Sequence, residues 1–326
     1  IHYNEGNYNN EIGMPITLVN MPKKTQICIL ELGMNKAGEI NFLSQIAKPK
    51  IAIITNVGLA HIGNFSDQAD IAREKSDIFK HLEKKGIAFI PGNSEFSNLL
   101  KKKAKNYKSF TFGSHKSFDL SFLEQRNSDQ IEFNVFEKKI ILQRKSDYNN
   151  WQINVLVILG LIKIFNISLK NVKSKIENLK PLKGRGEISK LKIKDKKILL
   201  IDESYNSNPK SLENAIANLK TISRKYPRKI LVVGDMLELG KKSVQLHQQT
   251  VKFIIKINPD ILITTGREFK KISNKLPTNL KKFHIDNHLN IYKRLIKEID
   301  NGDVIMIKGS NSTNLFKVSN KLKENF

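Results

Sequence analysis

The sequence predicts an α/β protein built on mostly parallel sheets, with a doubly wound second half. Short β-branched apolar runs such as Ile51–Val57 have the character of strands buried on both faces. From Lys197 onward, runs of this kind alternate with helical stretches, as in a doubly wound domain. Polar clusters follow several of these strands, and open α/β sheets bind ligands beyond the carboxyl ends of their strands.

At 326 residues, two domains are expected, and a hydrophobic fraction of 40% is enough for their cores. No apolar run approaches the ~18 residues of a membrane span. The opening residues lack a signal-peptide pattern. Cys28 is the only cysteine and lies in an apolar run, ICILELG, so an internal disulfide framework is excluded and a reducing cytoplasm is expected. The net charge is +25, from 56 Lys+Arg against 31 Asp+Glu. Such a balance raises nucleic acid, membrane surface or an anionic substrate as partners. The lysines are dispersed, however, with no aromatic-interleaved basic strip, so the expectation is solvated faces, no nucleic acid and no membrane insertion.

In the first half, Asn7, Asn9 and Asn10 lie in an Asn- and Gly-rich opening that reads either as an ordinary turn or as a polar wall for substrate. Ile27–Leu32 reads as a strand with Glu31 at its carboxyl end. Ile51–Val57 reads as a second, followed by a loop carrying His61. A carboxylate and an imidazole at such ends are suited to a divalent cation. A helix is expected from Asp67, its N-cap, with Asp70 adding negative charge to the first turn. Its apolar face is Ile71, Ile78, Phe79 and Leu82, and Lys75 falls on that face. Two readings are open for Lys75: a snorkelling lysine, or a buried amine of lowered pKa available for chemistry. Ile87–Pro91 reads as a strand and Lys101–Lys108 as a solvated basic face. The β-like pieces over 109–143 read as an antiparallel excursion at the sheet edge. Helices are expected over Trp151–Phe165 and Asn171–Leu179.

Pro181–Glu187, PLKGRGE, reads as an interdomain hinge, with Arg185 either a phosphate clamp or a solvated arginine. Beyond it the expected strands are Lys197–Ile201, Lys229–Val233, Asp260–Thr264, Phe283–Ile285 and Val304–Ile307. The expected helices are Ser211–Ile222, Ser243–Ile257, Arg267–Asn274, Leu289–Ile299 and Thr313–Lys323. Gly234–Ser243, GDMLELGKKS, superficially suggests a phosphate-binding loop. It has five residues between the glycines where the pattern needs four, Gly-Lys-Lys at the end, and two acidic residues, Asp235 and Glu238, that repel phosphate; it is rejected.

Eight ordered segments together resemble the Mur ligase family: GNYNNEIGMP (6–15), ELGMNKAGEI (31–40), TNVGLAHIGNF (55–65), AREKSDIF (72–79), GRGE (184–187), DESYNSNPKS (202–211), VVGDMLELG (232–240) and KGSNS (308–312). The resemblance runs from end to end. It implies a central ATPase-type domain with a mostly parallel sheet over 1–182 and a Rossmann-like C-terminal domain over 183–326. It implies an ATP- and magnesium-dependent amide ligase that joins D-Ala-D-Ala to UDP-N-acetylmuramoyl-tripeptide in peptidoglycan precursor synthesis, working as a monomer. By resemblance, Glu31 and His61 match magnesium ligands, and Lys75 matches a lysine that carries a CO₂-derived carbamate and joins them. Asn154, Arg185, Asp202 and Glu203 match positions around adenine, ribose and phosphate. Tyr205, Asn206, Asn208, Lys308 and Ser310 match the closing interface between ATP and dipeptide; Lys75, His61 and Lys308 are taken as catalytic, Tyr205 and Asn206 as nucleotide-binding, and Asn208, Asp235 and Ser310, with Asn7, Asn9 and Asn10, as substrate-binding.

Three departures stand out. The family's P-loop and UDP-binding domain are expected upstream of Ile1, so residues 1–326 alone are expected to be inactive. SDYNNW (146–151) has Asn150 where His is usual, and Asn311 stands where an arginine often follows KGS. Two rival functions compete with this one: a related ATP-dependent amide ligase of the folylpolyglutamate type, against which DESYNSNP and GDMLELG argue, and a basic nucleic-acid-binding module, which rests on charge alone.

Overall fold

A computed structural model describes residues 1–124, 129–144 and 151–324. The chain forms two compact units, the first reaching Asn178 and the second beginning at Leu179.

In the first unit, β1 (His2–Tyr3) and β2 (Cys28–Ile29) form a two-stranded parallel ribbon, with α1 (Gly13–Val19) between them in sequence. After α2 (Glu39–Ala47) come β3 (Ile51–Ile53), α3 (Gln68–Ser76), β4 (Ile87–Pro91), α4 (Ser97–Lys103), β5 (Lys108–Gly113), β6 (Leu120–Glu124), β7 (Gln130–Val135), β8 (Lys138–Gln143), α5 (Trp151–Ile164) and α6 (Leu169–Glu177). The six-stranded sheet runs β3-β4-β5-β6-β7-β8, parallel through β6 and antiparallel from there to the edge. The antiparallel excursion therefore starts two strands later than expected, at β7: SFTFG and LSFLE belong to the parallel part. Helix α5 covers β5, β6 and β7 and buries Trp151, Val155, Leu156 and Leu159, with the Trp151 ring 5.9 Å from that of Phe133. The Trp151 indole N–H donates to Ile176 O at 3.2 Å, tying α5 to α6.

Asp67 is the N-cap of α3, its carboxylate accepting from Asp70 N at 2.8 Å. The helix ends at Ser76 and tightens into a 3₁₀ turn over Asp77–Phe79, so Phe79 and Leu82 are buried from beyond the helix. The two strands before it in sequence are also shorter than the apolar runs predict: β3 stops at Ile53 and β2 holds two residues.

The second unit holds β9 (Glu187–Ile193), β10 (Lys196–Glu203), α7 (Pro209–Ile222), β11 (Arg228–Gly234), α8 (Ser243–Ile257), β12 (Ile261–Thr265), α9 (Arg267–Lys271), β13 (Lys281–His284), α10 (His288–Glu298), β14 (Asp303–Lys308) and α11 (Leu315–Glu324). The sheet order is β13-β12-β11-β14-β10-β9, all parallel except β9. One face buries Ile198, Leu200, Ile230, Val232, Ile305 and Ile307 with Ile291 and Leu295 of α10 and Leu315, Val318 and Leu322 of α11. The alternate residues Leu199, Ile201, Leu231 and Val233 are equally buried. Burial on both faces is why these strands read as unbroken apolar runs. The sequence did not reveal β9, and the helix expected to reach Asn274 stops at Lys271, followed by a 3₁₀ turn over Ser273–Lys275. Among the described residues no helix is long and apolar enough to cross a membrane.

Candidate active site

The first unit gathers part of the predicted set around the carboxyl ends of β2 and β3. Asn4 brackets Glu31 by accepting from its backbone N–H and donating to its C=O, both at 2.9 Å. Asn9 Nδ2 donates to Glu31 Oε1 at 2.8 Å, so Asn9 orients that carboxylate. Asn10 Oδ1 accepts from Gly13 N at 2.8 Å and serves the start of α1. These two asparagines are thus committed locally, one to Glu31 and one to a helix end. Lys75 feels Glu31 directly: burial pushes its ammonium below the ordinary lysine range, and the Glu31 charge pulls it part of the way back. The structure brings Glu31 and Lys75 together in this sense. His61 sits past β3 in left-handed backbone (φ 62°), opening a 3₁₀ turn over Ile62–Asn64. Gln68 Nε2 donates to Val57 O at 3.0 Å and anchors the intervening loop to α3. Among the described residues no group of three or more His, Cys, Asp or Glu side chains is set to hold a metal ion. Asn154 lies in the first turn of α5, half-buried; Asn150 lies outside the described residues.

Glu74 was not foreseen. Its buried carboxylate accepts from Gly38 N and Ile40 N, both at 2.8 Å, and so caps α2 from a different helix. It fixes the ELGMNKAG loop that leads away from Glu31. Its place beside Lys75 in AREKSDIF was the only sequence signal.

The second unit assembles the other part where β10, β11 and β14 end side by side. Lys308 is fully buried, donating to Asn206 O at 3.0 Å and lying 3.4 Å from Glu203 Oε2. Burial pushes the Glu203 carboxyl up and the Lys308 ammonium down, while each group's charge opposes the other's displacement. The Arg185 guanidinium stacks 4.0 Å from the Tyr205 ring centroid, and its charge further lowers Lys308. The segment GRGE is not a free hinge: Gly186 N donates to Asp202 O at 2.8 Å and Tyr205 N to Gly184 O at 3.0 Å. Gly184 has φ +72°, and a Cβ there would meet Tyr205 N at 3.0 Å, so this close zipping needs glycine.

Neighbouring strand residues point to opposite faces, and this separates Asp202 from Glu203. Asp202 is 1% exposed and turned inward rather than into the mouth of the site. Burial alone would raise its carboxyl, but hydrogen bonds from Lys323 (2.7 Å) and Ser204 (2.6 Å) hold it below the usual carboxylate range. Lys323 also donates to Glu187 at 2.6 Å. Asn208 is the N-cap of α7, its Oδ1 accepting from Ser211 N at 2.9 Å in a capping box. Ser310 joins three loops: its N–H donates to Asp235 O (3.1 Å), its Oγ accepts from Leu237 N (2.9 Å), and its Oγ donates to Ser207 O (3.4 Å).

Beside this cluster, the ends of β11, β12 and β14 and the start of α10 border an open cavity of about 460 Å³, lined among others by Asp235, Leu237, Gly266, Asn287 and Thr313. Asp235 caps α9 with both oxygens, accepting from Phe269 N and Glu268 N at 2.9 Å. Gly266 has φ +98°, and a Cβ there would lie 2.3 Å from the Asp235 carboxyl carbon, so the carboxylate occupies space that only glycine leaves open.

Two family patterns match the chain: the Mur ligase middle domain over residues 1–168 and the Mur ligase glutamate ligase domain over residues 184–311. The UDP-N-acetylmuramoyl-tripeptide–D-alanyl-D-alanine ligase of Rickettsia prowazekii is 30% identical over 323 residues, covering 96% of this chain and 70% of that protein. The Bacillus subtilis protein of the same name is 28% identical, covering 99% and 70%. MurF from Acinetobacter baumannii superposes with a TM-score of 0.85 at 24% identity, over 99% of this chain and 70% of that one. MurF from Thermotoga maritima, solved with ADP, gives 0.82 at 24% identity over 99% and 73%. The chain belongs to the Mur ligase family.

Proposed function

We propose that this chain serves the ATP-dependent ligation of D-Ala-D-Ala to UDP-N-acetylmuramoyl-tripeptide, a step of peptidoglycan precursor synthesis, in the cytoplasm and as a monomer. The observation that carries the reading is the meeting of DESYNSNPKS, GDMLELG and KGSNS at adjacent strand ends through Lys308 and Ser310. Relatives bearing the ligase name over 96–99% of this chain support the same reaction.

A carboxylate is a poor acyl donor. In the proposed reaction the terminal carboxylate oxygen of the tripeptide takes the terminal phosphoryl group of ATP, releasing ADP. The dipeptide amine then attacks the acyl carbon, loses a proton, and inorganic phosphate leaves as the amide forms. Negative charge accumulates at both steps, and cationic side chains aimed at it lower the barrier. Arg185 and Lys308 supply that charge from the second unit, with Arg185 pre-set by its stack on Tyr205. Glu203 and Asn206 hold Lys308 in place. Asp235, Asn208 and Ser310 shape the acceptor side; Asn154 is assigned to the nucleotide and Asn7 to the muramoyl-peptide side, where Asn9 and Asn10 act indirectly by holding Glu31 and the start of α1. For Asp202 the inward ion pair with Lys323 supports a structural part in aligning β10 rather than contact with nucleotide.

Magnesium would be held by Glu31, His61 and a carbamate on Lys75. Glu31 and His61 alone make a thin donor set; a lysine whose amine is displaced toward neutrality beside Glu31 is chemically suited to take up CO₂ and complete it. When bound, the ion supplies neutralisation of phosphate charge.

The test is a panel of amine acceptors offered with UDP-N-acetylmuramoyl-tripeptide and ATP, reading phosphate release, to the protein with whatever upstream sequence its gene encodes. D-Ala-D-Ala should be accepted and glutamate refused. Acceptance of glutamate with refusal of D-Ala-D-Ala would move the chain to the folylpolyglutamate type.

A further inference from the structure

We infer that His247 is a positioning residue that sets the wall of the 460 Å³ cavity by holding the backbone of the GDMLELG loop. The identity of the ligand whose binding it affects rests on the ligase reading above; the geometry does not.

His247 lies on α8 and is completely buried. Its Nε2 accepts from Met236 N at 3.0 Å, and its Nδ1 lies 2.8 Å from Ser243 O. A backbone N–H can only donate and a carbonyl can only accept, so the ring is the neutral Nδ1–H tautomer with both nitrogens used. The Phe269 ring packs edge-on at 5.3 Å and fixes the imidazole plane. Asp235 Oδ1, at 3.8 Å from Nε2, is too far to share the proton and is taken up by α9.

Met236 itself is buried, but its neighbours Asp235 and Leu237 both line the cavity. Three consecutive residues of the loop are thereby pinned. Ser310 holds the Asp235 carbonyl and the Leu237 N–H, and His247 holds the Met236 N–H between them. Without the imidazole, a buried N–H loses its acceptor and the loop must shift to recover one, carrying Asp235 and Leu237 with it. The nucleotide-facing cluster of Arg185, Glu203 and Lys308 has no part in this contact, so the loss should fall on the amine acceptor.

The variants are His247→Leu, His247→Asn and His247→Gln. Leucine removes both contacts, asparagine reaches only the Ser243 side, and glutamine can present its amide oxygen near the Nε2 position. Steady-state kinetics should show KM for D-Ala-D-Ala raised about tenfold in H247L and H247N, KM for ATP within about twofold, and H247Q restored to within about threefold of the parent. An unchanged dipeptide KM in H247N, or equal losses in all three variants spread over both KM values and kcat, would overturn the inference. Should the parent not use D-Ala-D-Ala, the ligase reading fails by itself, and amide exchange at Met236 still decides the present point: about tenfold faster exchange in H247N supports it and an unchanged rate overturns it.

Discussion

Lys323→Met tests the ion-pair cluster that ties the final helix to the sheet of the second unit. Lys323 contacts Asp202 at 2.7 Å and Glu187 at 2.6 Å. The two carboxylates differ in what they lose. Glu187 is 37% exposed at its side chain and can turn to water, so its share is ~0–1 kcal/mol. Asp202 is 1% exposed and would keep neutral hydroxyl donors such as Ser204 but lose its cation, so stranding it should cost ~3 kcal/mol. At ~2–4 °C per kcal/mol, the melting transition of the second unit should fall by about 10 °C at pH 7. The pH dependence carries the sign. In the parent, the Asp202 carboxyl is held below its ordinary value, so its stabilisation is complete above ~pH 4 and is lost only as pH falls through the lowered pKa. Without Lys323, burial dominates and raises that pKa, so the variant recovers stability as the carboxyl protonates on acidification. The gap between parent and variant should therefore narrow from pH 7 to pH 4.5, and adding Asp202→Asn should close part of it at pH 7. Calorimetry across that range is the assay. A drop under about 2 °C at pH 7, or a gap that does not change with pH, would refute the reasoning.

Lys75→Ala should reduce ligation severely, with partial recovery on adding a short carboxylic acid, read by phosphate release; full activity without the amine would return Lys75 to a snorkelling role. Glu74→Ala, which strips two N–H groups of their acceptor at the start of α2, should destabilise the first unit by ~2–3 kcal/mol in denaturant unfolding, with Glu74→Gln costing less because one acceptor remains. Gly266→Ala places a Cβ on the Asp235 carboxyl at positive φ, and should cost ~1–3 kcal/mol in the same assay and raise the dipeptide KM. Lys308→Met leaves Glu203 buried without its nearest cation, so ligation should be lost and the Glu203 carboxyl should titrate at higher pH than in the parent, followed by carboxyl infrared absorption.

Much of the fold was legible because its strands advertise themselves. β10, β11 and β14 are buried on both faces and read as continuous apolar runs. β9 was not legible because EISKLKI is only partly buried, at the sheet edge, and starts inside the Gly-rich GRGE segment that looks like a hinge. The Asp67 cap was legible because an N-cap is a local event; the capping of α2 by Glu74 was not, because its partners lie 34 and 36 residues away. In the site, polar clusters at strand ends could be located but not oriented. DESYN names Asp202 and Glu203 together, and only the placement of α11 with Lys323 shows that the first faces inward. His247 gave no signal at all, since a single histidine on an amphipathic helix does not reveal which loop it holds.

The place of β14 in the second sheet bears on the order in which this unit can fold. β14 is the last strand in sequence, yet it lies between β11 and β10. β9 and β10 can pair as a local hairpin, and β11, β12 and β13 can form successively, but these two groups share no ladder until residues 303–308 enter between them. Such a non-local insertion is slow, and the two open edges remain exposed to wrong pairing until it occurs. The inserting strand also ends in Lys308 and leads to Ser310, the residues that bind Asn206, Asp235 and Leu237. Closing the sheet and completing its polar cluster are thus one event, and a folding intermediate without β14 has neither.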